Sequence, residues 1–429
     1  MKTADLHTLF FKYNSVSTDT RKIKKGDMFF ALKGENFNGN QYAEIALKNG
    51  AEYAIIDEEE FKTSSKTILV DNVLKTLQEL ASYHRTFLKT PIIALTGSNG
   101  KTTTKELINV VLSKKYNTTA TFGNLNNHIG VPLTLLSITR NTEIAIVEMG
   151  ANHQKEIEFL CHIAKPNYGY ITNFGKAHLE GFGGVKGVIK GKSEMYDYLI
   201  SNDKFVFVNA NDTIQVKKTK HARLFSFGNN IKNNNENDVS VTFLEAKPFV
   251  ECYYNTLNIK SKLIGNYNFD NISASIAIGN YFKVKDLDIK NAIENYIPSN
   301  NRSQIINKDS NKIILDAYNA NPSSMHAALI NFEKQPGFKV AILGDMFELG
   351  SEAKIEHQNI ADLAISLNIN KIILVGENFN KSKTNSEKTI YFKSFDTFKE
   401  GFKKTMLIDA SILIKGSRGM ALERILELI

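Results

Sequence analysis

Residues 94–105 read Ala94-Leu95-Thr96-Gly97-Ser98-Asn99-Gly100-Lys101-Thr102-Thr103-Thr104-Lys105, and this stretch decides the fold. The apolar run Pro91-Ile92-Ile93-Ala94-Leu95 leading into it reads as a buried strand, and Gly97 to Gly100 as a turn. Lys101-Thr102-Thr103-Thr104 then opens a helix that continues through Leu107, Val110 and Val111. A strand, a glycine turn and a helix N-terminus in succession form an anion cradle, because backbone N–H groups and the positive end of the helix dipole face one point. The Lys101 ammonium reaches the β- and γ-phosphates of such a ligand, and the Thr102 hydroxyl is placed to hold Mg²⁺. Two residues separate Gly97 from Gly100, where the general phosphate-loop pattern has four. The strand–loop–helix context disfavours the plain alternative, an ordinary turn with a chance lysine. The stretch therefore predicts a nucleotide site on an α/β sheet.

At 429 residues the chain is too long for one ordinary core, and two to three domains are expected. With 42% hydrophobic and 23% charged residues, its composition is globular, neither disordered nor membrane-embedded. No apolar run approaches the length of a membrane span, and Met1-Lys2-Thr3-Ala4-Asp5 opens no signal-peptide pattern. Cys161 and Cys252 are the only cysteines, which argues against a disulfide framework or a cysteine zinc site and fits a reduced, cytoplasmic setting. The 53 Lys+Arg residues against 45 Asp+Glu give +8, but the lysines form no dense tract. A solvated surface explains that surplus, and a small polyanionic substrate suits it as well as nucleic acid does.

Three textures divide the chain, and the expected boundaries are 1–89, 90–298 and 299–429. In the first part, short strands such as Met28–Leu32 and Tyr53–Ile56 flank a helical segment near Gln41–Lys48. In the second, strands Ile144–Val147, Tyr168–Thr172 and Phe205–Asn209 alternate with helical or loop segments, which predicts a mostly parallel sheet. Asn229–Asp238 holds six asparagines in ten residues and reads as a turn-rich surface excursion. Pro298-Ser299-Asn300-Asn301 is a plausible linker. Beyond it, strands Ile313–Leu315, Val340–Leu343, Ile372–Val375 and Ile412–Ile414 alternate with helical segments such as Ala353–Leu367. This part reads as a small Rossmann-like domain, but it lacks the glycine fingerprint of a dinucleotide site.

Polar groups cluster where apolar strands end, which is where open α/β sheets place ligands. Ile144–Val147 runs into Glu148, a carboxylate suited to a hard cation beside a phosphate loop. Tyr168–Thr172 leads to His178, which alone would read as structural but here lies beyond a second strand end near the same phosphate site. Lys190 and Lys192 follow on a probable helix, and composition does not choose between them. Asn266, Asn268 and Asn271 open a helix rich in Ala and Ile, either as caps or as partners for a purine edge.

Four further stretches complete the picture. They are Gly123-Asn124-Leu125-Asn126-Asn127-His128-Ile129-Gly130-Val131-Pro132, Asp316-Ala317-Tyr318-Asn319-Ala320-Asn321-Pro322, Leu343-Gly344-Asp345-Met346-Phe347-Glu348-Leu349-Gly350 and Lys415-Gly416-Ser417-Arg418. With Thr96–Thr103, they make the chain resemble the Mur ligase family along its whole length. They point within it to the branch that adds D-alanyl-D-alanine to UDP-N-acetylmuramoyl-tripeptide in peptidoglycan synthesis. The resemblance implies a small N-terminal α/β substrate domain, a central ATP-binding domain and a C-terminal Rossmann-like domain. It assigns ATP to Gly97, Ser98, Asn99, Gly100, Lys101, Thr102, Thr103, Asn268, Asn271, Arg302 and Asp316. It assigns Mg²⁺ to Thr102, Glu148, His178 and a carbamylated Lys192, and catalysis to Lys101, Glu148, His178 and Lys192. Substrate contacts fall on Thr20, Arg21, Lys33, Gly34, Asn127, Asn319, Asn321, Lys415, Ser417 and Arg418. Where the family has Asp-Gly-His after the Lys33–Gly34 stretch, this chain has Asn38-Gly39-Asn40.

The implied reaction passes the γ-phosphoryl of ATP to the peptide carboxylate, and the dipeptide amine attacks the resulting acyl phosphate. The implied enzyme is a cytoplasmic monomer that needs no nucleic acid or membrane insertion, with a mobile C-terminal domain that excludes water. Two other readings compete with it: a related ligase such as a folylpolyglutamate synthase, and a regulatory phosphate-loop NTPase.

Overall fold

The computed structural model describes residues 1–13, 15–231, 238–299, 301–382, 384–402 and 407–429. Three parallel-rich sheets follow one another along the chain. The first carries Val16–Ser17, Met28–Phe30, Tyr53–Ile56 and Thr67–Leu69 in that order, all parallel. The third runs Gln304–Lys308, Asn311–Asp316, Ala410–Lys415, Phe338–Gly344, Lys371–Val375 and Thr389–Phe392, with only the first pair antiparallel.

The second sheet holds the phosphate loop. Its nine strands run Leu257–Ile264, Phe249–Tyr254, Asp238–Ala246, Arg223–Asn229, Phe205–Asn209, Tyr168–Ile171, Ile92–Thr96, Ile144–Glu148 and Thr118–Ala120. The first two neighbouring pairs are antiparallel and the rest parallel. Ile92, Ile93, Ala94 and Leu95 are fully buried, as expected for a parallel strand covered on both faces. From Ile92–Thr96 the chain goes to the far edge at Thr118–Ala120, returns to Ile144–Glu148, then crosses to Tyr168–Ile171 on the opposite side. The strand order reverses there, and the crevice beyond these carboxyl ends is the ligand position of open α/β sheets.

Helix Val73–Leu88 joins the first sheet to the second. It starts with an N-cap at Asn72, whose side chain accepts from the Lys75 N–H, and buries Leu77, Leu80 and Ala81. It packs on helices Gly130–Leu136 and Glu156–Ala164. Its Arg85 donates to the Ala164 and Lys165 carbonyls at 3.1 Å each, placing a cation on the C-terminal end of the second of these helices.

Several elements depart from the sequence reading. The helix expected near Gln41–Lys48 is a short 3₁₀ turn at Gly39–Tyr42 followed by Ala43–Lys48. The strand expected over Met28–Leu32 ends at Phe30. Helix Thr3–Tyr13 and the antiparallel extension from Asp238 to Ile264 were not anticipated. Of the asparagine-rich stretch, residues 232–237 lie outside the described residues, as does residue 300 of the expected linker.

Candidate nucleotide and substrate site

Beyond the switch point lies a cavity of about 700 Å³ between the central and C-terminal sheets. The loop Ser98, Asn99, Gly100, Lys101, Thr102 and Thr103 lines one wall. The next strand end holds this loop in shape. Ser98 Oγ donates to the Gly175 carbonyl at 2.7 Å, the Asn99 N–H to Asn173 Oδ1 at 3.1 Å, and Thr172 Oγ1 to the Asn99 carbonyl at 2.6 Å. Gly97 turns at φ +140°, and a Cβ there would sit 2.1 Å from Thr172 Oγ1. Gly97→Ala is therefore expected to cost about 3 kcal/mol from backbone strain and overpacking. Thermal melts with and without Mg·ADP check this: the expected result is a lower midpoint and loss of the nucleotide-induced rise.

The two lysines of the catalytic expectation are both held by backbone oxygens. Lys101 Nζ folds back on its own loop, donating to the Gly97 carbonyl at 2.7 Å and the Ser98 carbonyl at 3.3 Å. Burial pushes its amine down to about 8 and Arg302 adds to this, while Glu148 pulls the other way. Lys192 is 1% exposed, donates to the Ala151 carbonyl at 3.0 Å and lies 4.9 Å from the Phe182 ring centre. Burial first, then repulsion from Lys101, holds its amine well below the ordinary lysine range. Lys190, its competitor from the sequence, is exposed.

Glu148 ends its strand 1% exposed, with Oε1 accepting from Asn126 Nδ2 at 2.7 Å. Glu148 Oε2 and Thr102 Oγ1 are both buried and have no hydrogen-bond partner among the described residues. Two orphaned hard oxygens on one cavity are a donor set that fits Mg²⁺. His178 lines the same cavity, adopts φ +52°, and pairs through Nδ1 with Glu348 of the C-terminal part. That pairing leaves Nε2 as its other nitrogen.

Asn268 and Asn271 line the cavity but do not cap their helix, whose N-cap is Tyr267. Asn268 Nδ2 donates to the Ile264 carbonyl at 2.8 Å, and Asn271 bridges Asn268 Oδ1 and the Thr104 hydroxyl at 2.8 and 2.9 Å. Asn271 also explains Gly100, where a Cβ would meet Asn271 Oδ1 at 2.6 Å.

The C-terminal sheet supplies the opposite wall. The Arg302 guanidinium stacks 3.7 Å from the Tyr318 ring centre, and its Nε is buried without a partner. Asp316 accepts from Lys415 Nζ at 2.5 Å and from the Ser303 N–H at 3.0 Å. Asn319 and Asn321 line the cavity too. Asn321 caps helix Pro322–Phe332 and donates to Asn99 Oδ1 at 2.7 Å, tying the two walls together.

Of the remaining expected contacts, only one reaches the cavity. Asn127 lines the cavity and accepts from the Gly130 N–H at 2.9 Å. Thr20, Arg21, Lys33 and Gly34 lie in the first part, away from the cavity lining. Arg21 forks onto Asp19 at 2.9 Å, and Lys33 pairs with Asp57 and Glu58 at 2.9 and 2.7 Å. Asn38 and Asn40 tie the antiparallel pair Lys33–Gly34 and Phe37–Asn38 to the first sheet: Asn38 accepts from Asn40 and donates to Glu58, and Asn40 donates to Asp57 at 2.9 Å. Ser417 is buried and accepts from the Phe347 N–H at 2.9 Å, and Arg418 is exposed and pairs with Glu423, so neither lines the cavity. Sequence reasoning gave no role to Asn126, Tyr267, Tyr318 or Glu348. Three of them fall inside the quoted stretches, but their partners become evident only in three dimensions.

The comparisons agree with this architecture. Sequence profiles match in chain order: "Mur ligase family, catalytic domain" over residues 12–85, "Mur ligase middle domain" over 95–279, and "Mur ligase, glutamate ligase domain" over 301–418. The UDP-N-acetylmuramoyl-tripeptide–D-alanyl-D-alanine ligase of Bacillus subtilis (strain 168) is 33% identical, over 96% of this chain and 92% of its own length. A crystal structure of MurF from Acinetobacter baumannii superposes with TM-score 0.85 at 30% identity, covering 96% of this chain and 92% of that one. MurF ligase from Thermotoga maritima, in complex with ADP, superposes with TM-score 0.81 at 25% identity, covering 100% and 98%. Three sheets in this order, the shortened phosphate loop at the switch point and full-length similarity lead to one conclusion: the chain belongs to the Mur ligase family.

Proposed function

We propose that this chain is an ATP-dependent ligase that joins D-alanyl-D-alanine to the terminal carboxylate of UDP-N-acetylmuramoyl-tripeptide. The products are the UDP-pentapeptide precursor of peptidoglycan, ADP and phosphate. One observation carries the reading: a single cavity gathers the phosphate loop, two orphaned buried oxygens, and Arg302, Asp316 and Lys415 from the facing sheet. The names of the similar ligases supply the substrates, and the ADP complex among them supports the nucleotide.

In this reading residues 1–89 hold the UDP-sugar through Thr20, Arg21, Lys33 and Gly34, residues 90–298 bind ATP, and residues 299–429 present the amine. Asn268 and Asn271 meet the adenine, Arg302 and Asp316 reach the nucleotide, and Lys415 with Asn319 and Asn321 faces the dipeptide. Thr102, Glu148, His178 and a carbamylated Lys192 would hold Mg²⁺, which neutralises phosphate charge when bound. The substrate carboxylate oxygen forms a bond to the γ-phosphorus, and the bond to the bridging oxygen breaks as ADP leaves. Lys101 stabilises the transferring group by charge and position, the main requirement of phosphoryl transfer. The dipeptide amine then forms the C–N bond, the C–O bond to phosphate breaks, and the amine proton is released. Closure of the C-terminal part over the cavity would keep water from the acyl phosphate. The reading carries with it a monomeric, cytoplasmic enzyme. Among the described residues no helix is long and apolar enough to cross a membrane.

A substrate panel tests the proposal. Phosphate release from Mg·ATP is expected only with both the UDP-tripeptide and D-alanyl-D-alanine. Release with a folylpolyglutamate and glutamate instead would move the chain to a sister branch. Release indifferent to both, with salt-sensitive nucleic-acid binding, would make it a regulatory NTPase.

A further inference from the structure

We propose that Lys176 is a positioning residue that clamps the C-terminal sheet over the cavity by way of Glu356 and Ser323. Lys176 follows Gly175, whose carbonyl receives Ser98 of the phosphate loop, and precedes His178 by two positions. One residue thus reaches across the boundary twice: its N–H donates to Ser323 Oγ at 2.9 Å and its Nζ to Glu356 Oε1 at 2.6 Å. Glu356 sits on helix Ala353–Ser366 with its side chain 6% exposed, against 46% for Lys176.

This pair differs from its neighbours across the same boundary. Asn99 and Asn321, and His178 of the His178–Glu348 pair, line the cavity, and ligands compete for those side chains. Lys176 and Glu356 do not line it, so their ion pair, unlike the Ser323 contact, lies outside the ligand space. Opening the domains returns a buried carboxylate to water, so the pair exists in the closed arrangement alone. A contact made in only one of two states biases the equilibrium between them. The clamp therefore sets how closed the empty protein is without touching the reacting groups. The inference rests on the ligase reading only for what the closed cavity does.

Small-angle scattering of the substrate-free, full-length protein tests it, with circular dichroism and thermal melts to confirm folding. K176M and E356Q are each expected to enlarge the radius of gyration and lower kcat/KM about tenfold, with the fold retained. The charge swap K176E/E356K is expected to restore both, a rescue that a merely structural lysine does not give. S323A, which removes only the second contact, is expected to fall between wild type and K176M. Wild-type scattering in both single variants, or expansion that the swap fails to reverse, would overturn the clamp. Scattering is read without substrate, so its outcome is independent of whether the ligase product is found.

Discussion

Lys101→Met is expected to lower turnover by about three orders of magnitude, the scale lost when a preorganised charge on a transferring phosphoryl group is removed. The same change should not destabilise the protein. In the folded chain the Lys101 amine lies at about 8, against an ordinary 10.5, chiefly because of burial. Between those two values the unfolded chain binds the proton that the folded chain has released. The native protein therefore gains stability as pH rises from about 8 to about 10.5 and lacks that gain below. Methionine removes the effect, so the variant should match or exceed the native melting temperature at pH 8, with a smaller upward trend toward pH 10. Initial rates and melts at both pH values check the two halves. A variant that loses activity by unfolding would contradict the assignment of Lys101 to chemistry.

If Lys192 carries the proposed carbamate, Lys192→Met is expected to reduce kcat about 10²- to 10³-fold, because it removes that negative charge. Burial first, then repulsion from Lys101, lowers the Lys192 amine well below the ordinary lysine range, which favours its neutral form. A neutral amine is a nucleophile toward CO₂: the N–C bond forms, a proton leaves, and the product is a carbamate anion. Lys192 itself does not line the cavity, but Ala151, whose carbonyl holds its amine, does, and on the proposed reading the carbamate would add a hard oxygen to the Thr102 and Glu148 set that Mg²⁺ prefers. Wild-type activity should therefore fall when the protein is stripped of CO₂ and recover with bicarbonate, and the Lys192→Met variant should respond to neither. Near-native melting of the variant is expected, because methionine replaces a buried amine whose one hydrogen bond is to Ala151. Bicarbonate-independent wild-type activity would remove the carbamate from the account.

What the sequence revealed follows how local each signal is. The strand, turn and helix around Gly97–Thr104 were legible because each residue acts on its immediate neighbours, and the structure places Ser98 to Thr103 in one wall of the cavity. Glu148 and His178 were legible as polar residues beyond apolar strands. Lys190 and Lys192 were not separable, because two positions on a helix face nearly opposite sides and only the packed structure shows which is buried. Asn126 was quoted without a role, since its meaning is a bond to Glu148 across the sheet end. Lys176 and Glu356 are 180 positions apart, a distance no pattern bridges. Helix Thr3–Tyr13 was missed because it buries only Leu6, His7 and Phe10, a stripe too short to read as periodic. Ser417 is buried outside the cavity lining, where it accepts from the Phe347 N–H, a bond that no local pattern predicts.

The proposed ligase chemistry turns on activation of the peptide carboxylate by phosphorylation in this cavity. Its most direct test uses UDP-N-acetylmuramoyl-tripeptide whose terminal carboxylate carries isotopically heavy oxygen, incubated with Mg·ATP and D-alanyl-D-alanine. The account predicts one heavy oxygen in each released phosphate, the other retained in the new amide of the UDP-pentapeptide. Phosphate released without the label, or formed without the pentapeptide, would contradict it.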